Sequence, residues 1–379
     1  MKIAILKERL DTEKRVAITP DIVKKLVNHG VEVHIEQSAG ESASVSDQDY
    51  IDAGAKVSKV LLEILGDANM VLKVQPSPSA DNDMSELDFM PENTLLIGML
   101  SPYNNKDLLR RYAEKKVNSV SMELLPRITK AQSMDVLSSQ SNLSGYMAVI
   151  KAASEYGRIF PMMTTAAGGI SPAKVLIMGA GVAGLQAVAT AKRLGAIVSV
   201  FDVRAVAKEQ VESLGGKFIE VKSDEDGSSG AGYAKEMSEE YKQKQKQLIH
   251  DTLKKSDIVI TTALIPGRAA PILITKEMID DMRMGSVIVD IAANSGGNCE
   301  GTKANEVVQY NGVKIIGAGN LPSEVAAESS RLYSKNLYNF IEYITNKEFK
   351  EISFDLDDEI VKACLLTHGG KIINPNFQE

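Results

Sequence analysis

Residues Ala173–Asp202 read AKVLIMGAGVAGLQAVATAKRLGAIVSVFD. An apolar run, Val175–Met178, feeds Gly179-x-Gly181-x-x-Gly184; a helical pattern follows and stops at Gly195; a second apolar run, Ile197–Phe201, ends on Asp202. This order of features is that of a βαβ unit that holds a dinucleotide. Gly179 permits the tight turn, Gly181 lets a pyrophosphate approach bare backbone, and Gly184 lets helix and strand pack closely. The helix start at Val182 offers unpaired N–H groups and the positive end of a dipole to the phosphates. Asp202, followed by Val203 and Arg204, forms the ribose end. Its carboxylate can accept both ribose hydroxyls and repels a 2′-phosphate, so the pattern favours NAD(H) over NADP(H) even with the Arg204 cation close by.

A chain of 379 residues is long enough for two or three domains of ordinary size. With 44% hydrophobic and 25% charged residues it has the make-up of a soluble globular protein. A net charge of −7 argues against a nucleic-acid or anionic-membrane surface as partner. The longest uncharged stretch, Val175–Ala191, is short for a membrane span and is already accounted for as strand and helix, so no direct membrane insertion is expected. The N-terminus, MKIAILKERL, carries charges inside its apolar run and does not read as a signal peptide. Cys299 and Cys364 show neither metal-ligand spacing nor a disulfide framework, which fits a reducing cytoplasm, and no metal site is expected.

The N-terminal part alternates strand and helix patterns. Lys2–Leu6, Val31–Ile35, Met70–Val74, Leu95–Leu100 and Val117–Val120 read as short buried strands. Thr19-Pro20 reads as an N-cap followed by Pro at the first helical position, and the helix Asp21–His29 ends at Gly30. One long helix is predicted from about Ala131 to Tyr156. Six further strands are predicted at Val175–Met178, Ile197–Phe201, Lys217–Val221, Asp257–Thr261, Ser286–Ile291 and Val313–Ile316, the number in a complete doubly wound dinucleotide sheet. Lys222–Gln247 breaks the rhythm with a Gly-rich stretch and a polar helical pattern, readable as a solvated insertion or as a lid beside a cofactor crevice. A helix is predicted over Glu324–Ile344; the tail from Phe354 shows no strong period.

A dehydrogenase acting on an alcohol or amine needs a general acid or base beside the nicotinamide. The four histidines, His29, His34, His250 and His368, read as structural or surface residues. The conspicuous polar cluster is instead RITKAQSMDVLSSQSN, Arg127–Asn142. Gln132 has both the donor and the acceptor that a carboxamide requires. Arg127 can donate to the carboxamide oxygen with Asp135 gripping its guanidinium, and Ser138 follows on the same helix face. A polar helix cap and solvated face is the competing reading of the same residues.

The runs RITKAQSMDVLSSQSNLSGYMAVI, FPMMTTAAGGISPAKVLIMGAGVAGLQAVATAKRLGA, FDVRAVAKEQVESLGG, GYAKEMSEE, DIVITTALIPGRAAPILIT and SVIVDIAANSGGNC resemble the NAD(H)-binding component, domain I, of proton-translocating nicotinamide nucleotide transhydrogenases, over essentially the whole chain. That family is related to alanine dehydrogenases, with which the chain shares an RVAITP-like segment carrying Arg15 and a VLKV strand carrying Lys73. Alanine dehydrogenases bind pyruvate with the corresponding Arg and Lys and carry a catalytic His and Asp where this chain has Ser101 and Asn294. Neither Ser nor Asn is an acid or base at neutral pH.

The resemblance implies two Rossmann-like, doubly wound parallel-sheet α/β domains with a cofactor cleft between them. The boundaries expected are 1–136 plus 325–379 for a discontinuous N-terminal domain, and 137–324 for the NAD(H)-binding domain. It implies direct hydride transfer between NADH here and NADP⁺ on a partner component, which needs two C4 atoms held roughly 3–3.5 Å apart rather than an acid or base. Arg127, Gln132, Asp135 and Ser138 would hold the dihydronicotinamide end. Gly232 and Tyr233 would tip a mobile loop, Ala263 and Leu264 would line the adenosine side, and Gly179, Gly181, Val182, Gly184, Asp202, Val203 and Arg204 would complete the NAD(H) site. The implied partners are a second copy of the chain, an NADP(H)-binding component and a separate membrane subunit carrying the proton path. The place implied is the cytoplasmic side of the inner membrane. An alanine-dehydrogenase-like enzyme and a non-catalytic NAD(H)-sensing module are the alternatives.

Overall fold

The computed structural model describes residues 1–76, 85–221, 239–353 and 355–378, without the side chains of 239–242. The chain divides into two compact units, Met1–Gln140 with Pro322–Glu379, and Ser141–Leu321.

The first unit is built on an eight-stranded sheet. Six strands, β1 (Lys2–Ile5), β2 (Glu32–Glu36), β3 (Lys56–Ser58), β4 (Met70–Leu72), β5 (Leu95–Gly98) and β6 (Asn118–Ser121), run parallel in the order β6-β5-β4-β1-β2-β3. Leu365–His368 then adds antiparallel beside β6, and Lys371–Ile372 beside that. Because successive side chains point to opposite faces, Ile3 and Ile5 join one apolar cluster while Ala4 joins another. The first cluster is completed by the helices Pro20–Asn28 and Ala326–Ile344, and the second by Leu61–Leu65 and Lys106–Glu114. Burial on both faces is why these strands read as unbroken apolar runs. Pro20 opens its helix as expected, although Thr19 makes no side-chain cap; its hydroxyl bonds Asp21 instead.

In the second unit, most of the helix Val136–Glu155 and then the hairpin β7 (Met163–Thr165) and β8 (Gly168–Ile170) precede the sheet. Seven strands follow: β9 (Lys174–Met178), β10 (Ile197–Phe201), β11 (Lys217–Ile219), β12 (Ile258–Thr261), β13 (Val287–Asp290), β14 (Val307–Tyr310) and β15 (Val313–Gly317). Their order, β11-β10-β9-β12-β13-β15-β14, is the doubly wound dinucleotide order with one strand added at the edge. All six expected strands are present. The seventh, β14, pairs antiparallel with β15 and exposes alternate residues, so no apolar run marked it. Helices Val182–Arg193 and Val136–Glu155 cover one face through Ala187, Val188, Ala191, Ala148, Val149 and Ala152. Glu239–Leu253 and Lys276–Asp280 cover the other through Ile249, Leu253, Met278 and Ile279.

Three expectations are corrected. The long helix over 131–156 is two elements: a 3₁₀ turn, Thr129–Met134, and an α-helix, Val136–Glu155. The break falls at Asp135, whose carboxylate takes the Ser138 N–H at 2.9 Å and so fixes the α-helix start just after it. The helix expected over 324–344 begins two residues later, as Ala326–Ile344, and a separate short helix, Leu321–Glu324, precedes it. The tail holds the helix Glu359–Cys364, capped by Asp358, before its two strands. The insertion readable as a solvated segment or as a lid, together with Gly232 and Tyr233, falls mainly in 222–238, outside the described residues. No described helix is long and apolar enough to cross a membrane.

Candidate nucleotide-binding site

The turn after β9 is shaped by its glycines. Gly179 sits at φ +106°, where a side chain would be strained and would collide with the Thr262 hydroxyl. Gly184 lies on the first turn of the Val182–Arg193 helix so close to the Gly179 carbonyl that a Cβ has no room. Gly181 is different: a Cβ built there meets nothing within 4 Å. Glycine at this position is not demanded by the protein's own packing. It leaves bare backbone at the N-terminus of a helix of 12 residues, which suits the close approach of a pyrophosphate.

Asp202 follows β10 directly and is held from several sides. Oδ2 accepts the Ala180 N–H at 2.7 Å, and Oδ1 accepts the Arg204 N–H at 2.8 Å. The Arg204 guanidinium lies along the same carboxylate, donating to both oxygens at 2.9 Å. Burial alone would raise the Asp202 carboxyl, but the hydrogen bonds from Arg204 and Ala180 outweigh it and hold the group below the usual carboxylate range. The Asp is thus a fixed anion joining the glycine turn to the strand end, and Val203 beside it is half-buried.

On the other side of β9, β12 ends at Thr261, and Ala263 and Leu264 follow. The loops after β10 and β12 therefore flank the Gly179 turn. Asn298 staples the second loop: its Oδ1 accepts the Ala263 N–H at 3.0 Å, and its Nδ2 donates to the Ala263 and Pro271 carbonyls at 2.9 Å. Asn298 is placed in turn by Asp290 at the end of β13, which accepts the N–H groups of Ala292, Asn298 and Cys299 and the hydroxyls of Thr261 and Thr302. Sequence reading missed Asp290 and Asn298 because their partners, mostly backbone groups with two threonine hydroxyls, form no motif of their own. Leu264 is 47% exposed, leaving an apolar side chain at the rim.

In the first unit the polar cluster is also built on backbone. Asp135, expected to grip Arg127, accepts from both the N–H and the hydroxyl of Ser138. The helix cap weighed against the binding reading is thus present for these two residues. Gln132 lies on the 3₁₀ turn with its side chain exposed, as is that of Arg127.

Arg15 and Lys73 are buried, at 3% and 1% exposure. Glu13 holds the Arg15 guanidinium through Nε and Nη2 at 2.7 and 2.6 Å, Gln140 takes Nη1, and Glu86 takes the Lys73 ammonium at 2.9 Å. Each cation is thus already matched by a carboxylate, as buried charge requires. Ser101 donates its N–H to Glu123, and Asn294 donates to the Gly319 carbonyl. His29 packs against Phe349 with the rings tilted by 32°; His34, His250 and His368 bond Glu32, Asp281 and Asn118.

A doubly wound unit with a glycine turn and a strand-end acid, joined to a second parallel-sheet unit, defines a class that the family comparisons name. The description "Alanine dehydrogenase/PNT, N-terminal domain" matches residues 4–144, and "Alanine dehydrogenase/PNT, C-terminal domain" matches 148–375. The chain belongs to the alanine dehydrogenase/PNT family.

Within that family its similarity runs strongly to one side. It is 50% identical over 379 residues to the first part of the NAD(P) transhydrogenase alpha subunit of Rickettsia prowazekii (strain Madrid E), covering 100% of this chain and 98% of that protein. The crystal structure of a transhydrogenase from Sinorhizobium meliloti superposes with a TM-score of 0.89 at 46% identity, covering 98% of this chain and 100% of that one. Identity to the alanine dehydrogenase of Methanococcus maripaludis is 28% over 382 residues, covering 98% and 94% of the two chains. The similarity therefore supports a transhydrogenase component.

Proposed function

We propose that this chain is the NAD(H)-binding subunit of a proton-translocating transhydrogenase. On this reading it passes hydride directly between NADH and NADP⁺ carried by a partner component, and is active only with that partner. The observation that carries the reading is the Gly179–Gly184 turn closed by Asp202, in a chain similar over its whole length to transhydrogenase alpha subunits. The residues present fit a dinucleotide. Gly181 leaves backbone bare at a helix N-terminus, Val182 opens that helix, and Asp202 lies at the strand end with Val203 and Arg204, where ribose hydroxyls would take over the acceptor positions that the Arg204 guanidinium holds.

In this reading the NAD(H)-binding domain spans 137–324 and the other domain 1–136 with 325–379. Ala263 and Leu264 line the adenosine side, and Gly232 and Tyr233 contribute to nucleotide binding. Arg127, Gln132, Asp135 and Ser138 orient the dihydronicotinamide. Gln132 presents the donor and acceptor that a carboxamide needs, and the Asp135–Ser138 cap fixes the backbone beside it. Hydride passing between two pyridine rings leaves no proton to manage, so the protein's contribution is to orient one ring and keep water from it. Serine at 101 and asparagine at 294 suit that economy of chemistry, since neither side chain titrates near neutrality.

The remaining parts of the proposal are a homodimer, a separate membrane subunit that carries the proton path, and attachment on the cytoplasmic side through these partners. The test is reconstitution with an NADP(H)-loaded partner component. Rapid transfer from NADH is expected, and brisk NADH-dependent reduction of pyruvate and ammonia by the chain alone would overturn the reading in favour of an alanine-dehydrogenase-like enzyme. Tight NADH binding and partner docking without transfer would leave a sensing module.

A further inference from the structure

The 3₁₀ turn Thr129–Met134 carries Gln132, yet it is a short element of a type that seldom holds its shape alone. The Gln132 carbonyl takes the adjoining Asp135 N–H at 3.3 Å, and the Ser133 carbonyl beside it draws its support from elsewhere. The structure supplies it from the helix Ala326–Ile344. Asn336 and Asn339 both donate their side-chain amides to the Ser133 carbonyl, each at 2.8 Å. They stand three residues apart, so both project from one side of that helix. Asn336 also accepts the Ser139 hydroxyl at 2.7 Å, tying down the first turn of the helix that Asp135 caps.

A second anchor holds the other side of Gln132. The Lys130 ammonium donates to the Tyr343 hydroxyl at 2.6 Å and sits 4.6 Å from the centroid of its ring. The Tyr343 hydroxyl donates in turn to Asp358 at 2.5 Å, and Asp358 accepts the Ile360 and Val361 N–H groups that begin the helix Glu359–Cys364. The backbone on both sides of Gln132 is thereby fastened to elements some two hundred residues further along the chain, while the Gln132 side chain itself stays exposed.

We infer that Asn336, Asn339 and Tyr343 are positioning residues for Gln132: they fix the turn so that its amide meets a nicotinamide carboxamide at one orientation. The inference rests on the proposed role of Gln132 in orienting the dihydronicotinamide. Its signature is a loss in transfer rate without a loss in nucleotide affinity, because the anchors act through the turn that carries Gln132.

The experiment compares wild type with Asn339→Ala, with the double variant Asn336→Asp/Asn339→Ala, and with Tyr343→Phe, which keeps the ring under Lys130. NADH affinity of each whole chain is read by nucleotide fluorescence. Single-turnover transfer is read with the NADP(H)-loaded partner component, and amide hydrogen exchange is followed over residues 128–138. In the double variant, transfer is expected to slow about tenfold or more through misplacement of the ring, with NADH affinity within about twofold of wild type. Exchange over 128–138 should rise, and the single variants should fall between. Wild-type rates in the double variant, unchanged exchange, or equal losses in rate and affinity would each overturn the inference while leaving the transhydrogenase reading intact. Absence of transfer by wild type itself would bring down that reading and this inference together.

Discussion

The Arg204 guanidinium lies along the Asp202 carboxylate, with Nε 2.9 Å from Oδ1 and Nη2 2.9 Å from Oδ2. The cation that could receive a 2′-phosphate is thus engaged by the anion that would repel one, and each holds the other in place at the end of β10. If Asp202 receives the ribose hydroxyls, Asp202→Ala removes charge-assisted hydrogen bonds of about 1.5–3 kcal/mol, weakening NADH by roughly ten- to a hundredfold. It also releases Arg204, so preference for NADH over NADPH should narrow. Titration with both nucleotides measures this, and unchanged NADH affinity would remove Asp202 from the ribose site.

Gly181 and Gly184 separate stability from binding. Gly181→Ala adds a methyl where nothing lies within 4 Å, at a φ of −77° that any residue adopts. The variant should melt within a few degrees of wild type yet bind NADH about tenfold more weakly or worse, because the methyl occupies the pyrophosphate's approach. Gly184→Ala drives a methyl into the Gly179 carbonyl and should lose stability by about 1–3 kcal/mol as well as affinity. Thermal melts with and without NADH distinguish the two.

Gln132→Asn shortens the side chain by one methylene without altering its donor and acceptor. It should slow hydride transfer by at least about tenfold and change NADH affinity little, since it shifts one end of the nucleotide only. Equal losses in both quantities would mean that the side chain contributes affinity rather than orientation.

Burial raises the Glu8 carboxyl to about 7, against the Lys73 cation and the Val74 N–H, which pull it down. Because the folded value exceeds the ordinary 4.5, the folded chain keeps a proton that the unfolded chain releases between those two pH values. The resulting stability is fully present below the lower value and is lost as pH rises through the upper one. Relative to wild type, Glu8→Gln should therefore gain on the order of 2–3 kcal/mol in urea unfolding between pH 5 and pH 8. A difference that stays flat across that range would show that Glu8 ionises at its ordinary value.

Cys299 and Cys364 are buried, and burial pushes both thiols up to about 12. With almost no thiolate at neutral pH, neither should react with a disulfide reagent in the folded chain, and both should react on unfolding. Fast labelling of Cys299 in the native protein would show that the Asp290-bound segment opens.

Much of this fold is legible in the sequence because most strands of both sheets are parallel and covered on each face. Val175–Met178 and Ile197–Phe201 have to be apolar almost throughout, and they read so. What escaped was structure whose cause lies elsewhere in the chain. β14 and the strand Leu365–His368 are edge additions defined by antiparallel neighbours rather than by a pattern of their own. The interruption at Asp135 was hidden because an acidic residue inside a helical pattern looks the same whether it caps a helix or decorates one. The glycine turn was legible residue by residue, since Gly179 and Gly184 each have a local steric reason. Asn298, Asn336 and Asn339 were not, since an amide that fastens a distant carbonyl leaves no periodic trace.

The sheet of the first unit is closed by a strand from far along the chain: Leu365–His368 pairs with β6, whose own residues end at Ser121. On the ribosome, the second unit emerges complete while β6 still waits for its neighbour, and its exposed edge must be kept from pairing with strangers until that strand is made. Truncation ahead of Leu365 therefore threatens the earliest-made half of the polypeptide rather than the latest.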